Sequence, residues 1–274
     1  MRARVWIRSA TVAAGVATLS VSLLAQAASS TQKPKPFEPS VGQAGKDVVW
    51  VPTPQATVDK MLELAKLTPQ DFLMDLGSGD GITVITAAKR GARAMGIEYN
   101  PDMVALAQRR AAEAKVSDRA TFVKADLFET DLSKAQVITM FLLPDINLRL
   151  RPKILDLKPG TRIVSNTFTM AEWKEDDSAT AGGECTSWCT ALLWIVPAKV
   201  AGTWTTSGGD LTLTQEFQML NGTLGSAPIS DAKMRGDEIM FTVGSTKYTG
   251  KVAGTTMSGT TSGAASGSWK ATKK

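Results

Sequence analysis

The stretch Met74-Asp75-Leu76-Gly77-Ser78-Gly79-Asp80-Gly81 constrains this chain more than any other. It follows a short apolar run and opens into a helical pattern over 82–90. A strand, a glycine-dense turn and a helix start bring backbone close to a nucleotide-like ligand, because glycine tolerates positive φ and carries no Cβ. A second acid, Glu98, lies 23 positions after Asp75 at the end of the next apolar run. A carboxylate there can accept hydrogen bonds from two ribose hydroxyls.

The spacing Gly77, Gly79, Gly81 departs from the dinucleotide pattern G-x-G-x-x-G. No lysine or arginine sits in the turn to meet a pyrophosphate, and Asp75 and Asp80 would repel one. The turn suits a cofactor with a cationic end, such as the amino and sulfonium groups of S-adenosylmethionine. The plain alternative is a tight strand–helix turn that binds nothing.

The chain has 274 residues, 43% of them hydrophobic and 21% charged, as in a globular domain with an appendage. Arg2, Arg4 and Arg8 are the only charges before Lys33, so the net charge of +5 falls to +2 without residues 1–27. That balance gives no nucleic-acid footprint. The same arginines precede an apolar run from Ser9 to Leu24 and the small-residue site Ala25-Gln26-Ala27, the pattern of a secretory signal over 1–27. The run is short and rich in Ala, Ser and Thr, which speaks against a permanent membrane span. The expected location is the periplasm or cell envelope. An organelle transit peptide, or an uncleaved anchor oriented by its arginines, is the alternative.

Histidine is absent, which removes serine–histidine and cysteine–histidine catalysis. Cys185 and Cys189 are the only cysteines and cannot complete a structural zinc site, so no metal is expected. They could close a small-loop disulfide in an oxidising compartment, or stand as two buried unlinked thiols.

Residues 28–47 contain Pro, Lys and Ser and are expected to be a linker. An α/β domain is expected over 48–199. Thr53 can cap a first helix with Pro54 at its first position. Strands are expected at 72–76, 94–98, 120–124, 135–143 and 161–168, with helices at 82–90, after Asn100, and over 148–157 with a break near Pro152. A late strand over 188–197 is expected to be antiparallel. Short strands alternating with helices predict an α/β fold, a doubly wound and mostly parallel sheet. From 200 to 274 the character changes. Twelve of the 23 glycines lie beyond residue 201, and Leu211, Leu213, Phe217 and Met219 alternate with polar residues. A small antiparallel sheet or barrel is expected, with Asn221-Gly222 as a hairpin turn.

Residues 50–173 resemble class I S-adenosylmethionine-dependent methyltransferases. The resemblance is closest to the lysine methyltransferase family whose mitochondrial members modify the c-subunit of ATP synthase. It is carried by Val51-Pro52-Thr53-Pro54, Asp75 to Gly81, Gly96-Ile97-Glu98, Asp126-Leu127-Phe128 with Asp131-Leu132, Phe141-Leu142-Leu143-Pro144, and Pro159 to Ser165 leading to Trp173. The family's fold is a seven-strand sheet with helices on both faces. The resemblance implies S-adenosyl-L-methionine as cofactor, with Gly77, Ser78, Gly79, Asp80 and Gly81 cradling its methionine part. It implies Asp75 orienting the turn or binding the amino group, Glu98 holding the ribose, and Asp126 meeting the adenine amine with Leu127 stacking nearby. Thr53 and Pro54 would cover the carboxylate end, and Phe141, Leu142, Leu143 and Pro144 would line the acceptor entrance. The family usually has an arginine after the glycine turn, where this chain has Ile82. Residues 202–270 faintly resemble calycin-type barrels through Gly202-Thr203-Trp204; an appendage that only packs on the catalytic domain is the alternative.

The leading expectation is a methyltransferase acting on protein lysine or a related amine. The others are a methyltransferase for a small-molecule or lipid acceptor, and a non-catalytic envelope binding protein. No general base is assigned, and no nucleic-acid partner is expected. Lys89-Arg90 and Arg109-Arg110 are read as solvated helix faces.

Overall fold

The computed structural model describes residues 1–4, 36–183 and 185–274. Most of the expected export segment, from residue 5 onward, lies outside the described residues. Among the described residues no helix is long and apolar enough to cross a membrane. Residues 37–274 form one compact unit that holds two sheets.

The first sheet alternates with helices: α1 (Gln55–Leu64), β1 (Phe72–Leu76), α2 (Ile82–Lys89), β2 (Arg93–Glu98), α3 (Pro101–Glu113), β3 (Ala120–Lys124), β4 (Val137–Met140), α4 (Pro144–Leu155), β5 (Arg162–Asn166), β6 (Asp177–Thr180) and β7 (Thr190–Ile195). Its seven strands run in the order β3-β2-β1-β4-β5-β7-β6. The β1–β2, β1–β4, β2–β3 and β4–β5 pairs are parallel. β7 runs antiparallel to both of its neighbours.

The pleat explains the two cores. Leu73 and Val137 point into one cluster with Val84, Val104 and Phe122. Met74, Leu76, Ile138 and Met140 point into the other, with Leu150, Ile154, Trp173 and Trp194. Period-two alternation therefore puts Asp75 and Thr139 on the face of Leu73 and Val137, and the two are register partners on β1 and β4.

Helix ends follow local chemistry. Asn100 Oδ1 accepts the Asp102 N–H at 2.9 Å, with Pro101 in the first helical position of α3. α1 differs from expectation: Pro54 is its N-cap, without a side-chain cap bond, and Thr53 precedes it. β4 is shorter than the apolar run because the chain leaves the sheet after Met140. α4 then starts early, with Leu143 as N-cap and Pro144 inside the first turn, and continues through Pro152. Burial of Ile146, Leu150 and Ile154 holds it despite the hydrogen bond that Pro152 cannot make.

The second sheet is a closed antiparallel barrel of β8 (Gly202–Thr206), β9 (Gly209–Glu216), β10 (Met219–Leu224), β11 (Ala227–Arg235), β12 (Glu238–Val243), β13 (Thr246–Ala253), β14 (Thr256–Gly263) and β15 (Gly267–Lys273). β15 returns to pair with β8, which removes the sheet edges. Trp204, Met234, Phe241, Met257 and Trp269 belong to its packed core. Asn221-Gly222 is not the expected turn. It lies inside β10, and a Cβ on Gly222 would stand 1.8 Å from the Thr212 carbonyl oxygen of β9. This glycine permits a close backbone approach rather than a hairpin.

The barrel is seated on the first sheet by several contacts. Phe217 stacks on Trp173 with centroids 6.0 Å apart. Gln218 Nε2 donates to the Lys174 carbonyl at 2.8 Å, and the Ala198 N–H donates to the Gly236 carbonyl at 2.8 Å. A Cβ on Gly236 would lie 3.0 Å from Gly160 Cα, so two bare backbones meet there.

Trp204 is fully buried in the barrel and its indole N–H donates to the Val200 carbonyl at 2.8 Å. Trp204→Ala is expected to destabilise the protein by about 3–5 kcal/mol, through lost burial and the cavity left behind. Urea denaturation followed by circular dichroism measures this.

Candidate active site

A cleft opens beyond the carboxyl ends of β1, β2, β3 and β4. That is where an open α/β sheet binds ligands. Of the expected cofactor residues, Thr53, Asp75, Gly77, Ser78, Gly79, Asp80, Glu98, Asp126 and Leu127 line it. Pro54 and Gly81 are absent from its lining. Pro54 caps α1, and a Cβ on Gly81 would meet the Phe122 ring at 2.8 Å, so that glycine serves helix packing. Of the residues expected at the acceptor entrance, Phe141 and Leu142 line this cleft, whereas Leu143 and Pro144 start α4.

Glu98 organises the site. Its Oε2 accepts the Gly79 N–H at 3.0 Å and its Oε1 accepts the Asn100 N–H at 2.8 Å. Each oxygen keeps acceptor capacity for a hydroxyl. Gly79 holds φ at +53°, and a Cβ there would lie 2.7 Å from the Trp50 indole nitrogen. Only glycine fits beneath that ring.

Asp75 is buried and accepts the Thr139 hydroxyl at 2.6 Å. Burial pushes its carboxyl up to about 7; the nearby charges of Asp80 and Glu98 push the same way and the Thr139 bond opposes them. Asp80 differs from expectation. Its carboxylate is bonded to the Arg110 guanidinium of α3, so its charge is already paired within the protein. Arg110 is therefore a structural partner of the turn as well as part of a helix face.

The end of the expected linker, 42–47, and the first residues of the expected domain, 48–50, form part of the site together. Residues 42–50 fold back on themselves: the Gly42 N–H donates to the Trp50 carbonyl at 2.8 Å and the Trp50 N–H to the Gln43 carbonyl at 2.9 Å. This hairpin brings Trp50 over the glycine turn and Lys46 onto Asp126, with Nζ 2.5 Å from Oδ2. The Lys46 ammonium and the Phe128 N–H hold the Asp126 carboxyl below the usual carboxylate range. Only its apolar end, Val48-Val49-Trp50, marks this element in the sequence.

The donor set fits S-adenosylmethionine. The Ser78 hydroxyl is buried, lines the cleft and has no hydrogen-bond partner among the described residues. Asp75 and Glu98 are acids without a lysine or arginine bonded to them among the described residues. Such a cleft attracts a cation that carries hydroxyls and repels a pyrophosphate.

Residues 75–177 match the family model of the ANTKMT methyltransferase domain. A protein-lysine N-methyltransferase of Saccharolobus islandicus is 45% identical over 129 residues, covering 46% of this chain and 80% of that protein. The adenine nucleotide translocase lysine N-methyltransferase of Mus musculus is 35% identical over 119 residues, covering 43% of this chain. The chain spans 52% of that mouse protein's length. The crystal structure of an RNA methyltransferase from Salinibacter ruber, in complex with S-adenosyl-L-homocysteine, is 45% identical with a TM-score of 0.51. That match covers 55% of this chain and 96% of that one. The barrel lies outside the residues matched by the family model.

Two measurements check the site. Glu98→Gln is expected to weaken S-adenosylhomocysteine binding by about tenfold or more in calorimetry, since a charged acceptor is lost. Asp75 has a folded-state pKa near 7, above its unfolded value. Its contribution to stability is thus complete below about pH 4 and is lost as pH rises through its folded pKa. Its ionised form attracts a cation, so affinity for S-adenosylmethionine is expected to rise between about pH 6 and 8, with proton release on binding. Asp75→Asn is expected to flatten that dependence.

Proposed function

We propose, because this chain belongs to the ANTKMT family of S-adenosylmethionine-dependent methyltransferases, that its acceptor is the ε-amine of a lysine in a protein. The observation that carries this reading is the pairing of an acidic cofactor cleft with an apolar acceptor side. Asp75 and Glu98 line the cleft together with the apolar side chains of Phe141 and Leu142.

When bound, S-adenosylmethionine supplies a methyl group on a sulfonium that is already a good leaving group. The chain's own residues then have to hold, align and dry the reactants. Ionised Asp75 offsets positive charge. Glu98, fixed by two backbone N–H groups, presents an acceptor to the ribose, and Asp126 presents one to the adenine amine. The 42–50 hairpin covers the turn and limits water. A lysine has a free pKa near 10.4, so the amine must lose a proton before it can attack. The apolar surface of Phe141 and Leu142 disfavours the charged form and aids that loss to solvent. In the transfer the nitrogen lone pair forms the new N–C bond as the C–S bond breaks and its electrons return to sulfur. No general base is required of the chain.

The Mus musculus and Saccharolobus islandicus relatives are described as lysine methyltransferases, which supports the protein acceptor. The Salinibacter protein's description as an RNA methyltransferase makes RNA the second acceptor to test. Export is our proposal for location, with a signal segment over 1–27, a linker to 47, a catalytic domain over 48–199 and a barrel domain over 200–274. The Cys185–Cys189 disulfide supports it, because such bonds persist in oxidising compartments. The filled barrel interior favours a packed appendage over a calycin-like ligand container.

Incubating the full chain with methyl-labelled S-adenosylmethionine, envelope proteins and total RNA checks the acceptor. Label is expected in protease-sensitive, ribonuclease-resistant material, as a 14-dalton increment on lysine in peptide mass spectra. Label in RNA alone would overturn the lysine assignment.

A further inference from the structure

Three aromatic rings meet where β4 and β5 end. Phe141 lines the cleft. Phe168, just past β5, stacks on it with centroids 5.9 Å apart. Trp188 leans on both, at 5.6 Å from Phe141 and 5.5 Å from Phe168. Trp188 is 40% exposed, so this aromatic surface runs without a break from inside the cleft to solvent.

Trp188 is held there against its backbone preference. Its φ is +58°, in the left-handed region that a bulky side chain rarely adopts. Such a conformation persists only where the surroundings impose it, and it collects at ligand clamps. Two restraints impose it here. The Cys185–Cys189 disulfide closes the short loop that carries Trp188. Thr57, buried in the first turn of α1, donates its hydroxyl to the Trp188 carbonyl at 3.0 Å. An indole needed only for packing would not be pinned with two-fifths of its surface in water.

We propose that Phe141, Phe168 and Trp188 form the docking wall for the ammonium of the acceptor lysine, and that Cys185 and Cys189 are positioning residues for Trp188. This assignment rests on the methyltransferase reading above and names the acceptor subsite of the same cleft. The rings touch one another, so the cation lies against an open wall and not inside a closed cage. Aromatic faces carry negative quadrupole density and attract an ammonium, most strongly at tryptophan. The wall reconciles two demands. A lysine arrives charged, and the outer, wet end at Trp188 binds it in that form. Further in, at Phe141 and Leu142, desolvation favours the neutral amine, so the proton leaves to water near the mouth before transfer. Ammonium selection and amine activation thus occur at successive points along one surface.

The test uses the full chain saturated with S-adenosylhomocysteine and two calorimetric probes. One is Nα-acetyl-Nε-trimethyllysine methylamide; the other is its neutral isostere with carbon in place of the quaternary nitrogen. The protein is expected to prefer the cation by about tenfold, the range of a partly desolvated cation–π contact. Trp188→Leu keeps apolar bulk and is expected to abolish the preference, while Trp188→Phe retains most of it. The double change Cys185→Ser with Cys189→Ser is expected to reduce the preference by about threefold or more, as the ring loses its fixed placement. Affinity for S-adenosylhomocysteine stays unchanged in all three variants. Equal binding of the two probes by the unaltered chain, or a preference that survives Trp188→Leu, overturns the wall. An intact preference in the double serine variant overturns the positioning role. Failure of the unaltered chain to bind S-adenosylhomocysteine would instead sink the methyltransferase reading, so the two failures are distinguishable.

Discussion

One carboxylate ties the catalytic half together. Glu98 receives the N–H of Gly79 on one oxygen and that of Asn100 on the other. The first bond fixes the glycine turn that ends β1; the second fixes the start of α3. These are charge-assisted bonds to backbone, stronger than neutral ones and with no side-chain donor to reorder. The same group that would hold a ribose also sets the shape of the turn beside it. Binding and architecture cannot be separated at this residue.

Much of the catalytic half was legible in the residues because its signals are local. Asp75 followed by alternating glycines, and Glu98 at the next strand end, located the cleft through strand–turn–helix geometry alone. What escaped depends on contacts distant in sequence. Nothing in the residues near Asp80 says that Arg110 will pair with it, because that pair joins a turn to a helix thirty positions away. The first part of the 42–50 hairpin has no periodicity and reads as a linker, yet its order comes from a few backbone bonds and from Trp50 lying over Gly79. Gly81 looks like its neighbours in sequence and differs only in what surrounds it, an aromatic ring from β3.

The barrel teaches the complementary lesson. Alternating Leu211 and Leu213 identified strands correctly, since one face had to be buried. The Asn221-Gly222 pair misled because a glycine serves a turn and a tight strand crossing equally well, and only register distinguishes them. Loop 185–189 combines both cases. The cysteine spacing permitted a disulfide without requiring one, and the left-handed Trp188 within it leaves no mark in composition at all.

The place where Gly236 faces Gly160 has a consequence for motion. A joint lined by side chains can slip, because rotamers re-sort as surfaces slide. Here main chain abuts main chain, and a stacked Phe217 on Trp173 closes one flank. Hinging at that seam would have to break backbone contact at the two glycines, the Phe217 stack and the Gln218 bond together. The two halves are therefore built to travel as a single body, and the cleft, lined by residues of the first half alone, keeps its shape whatever the barrel does.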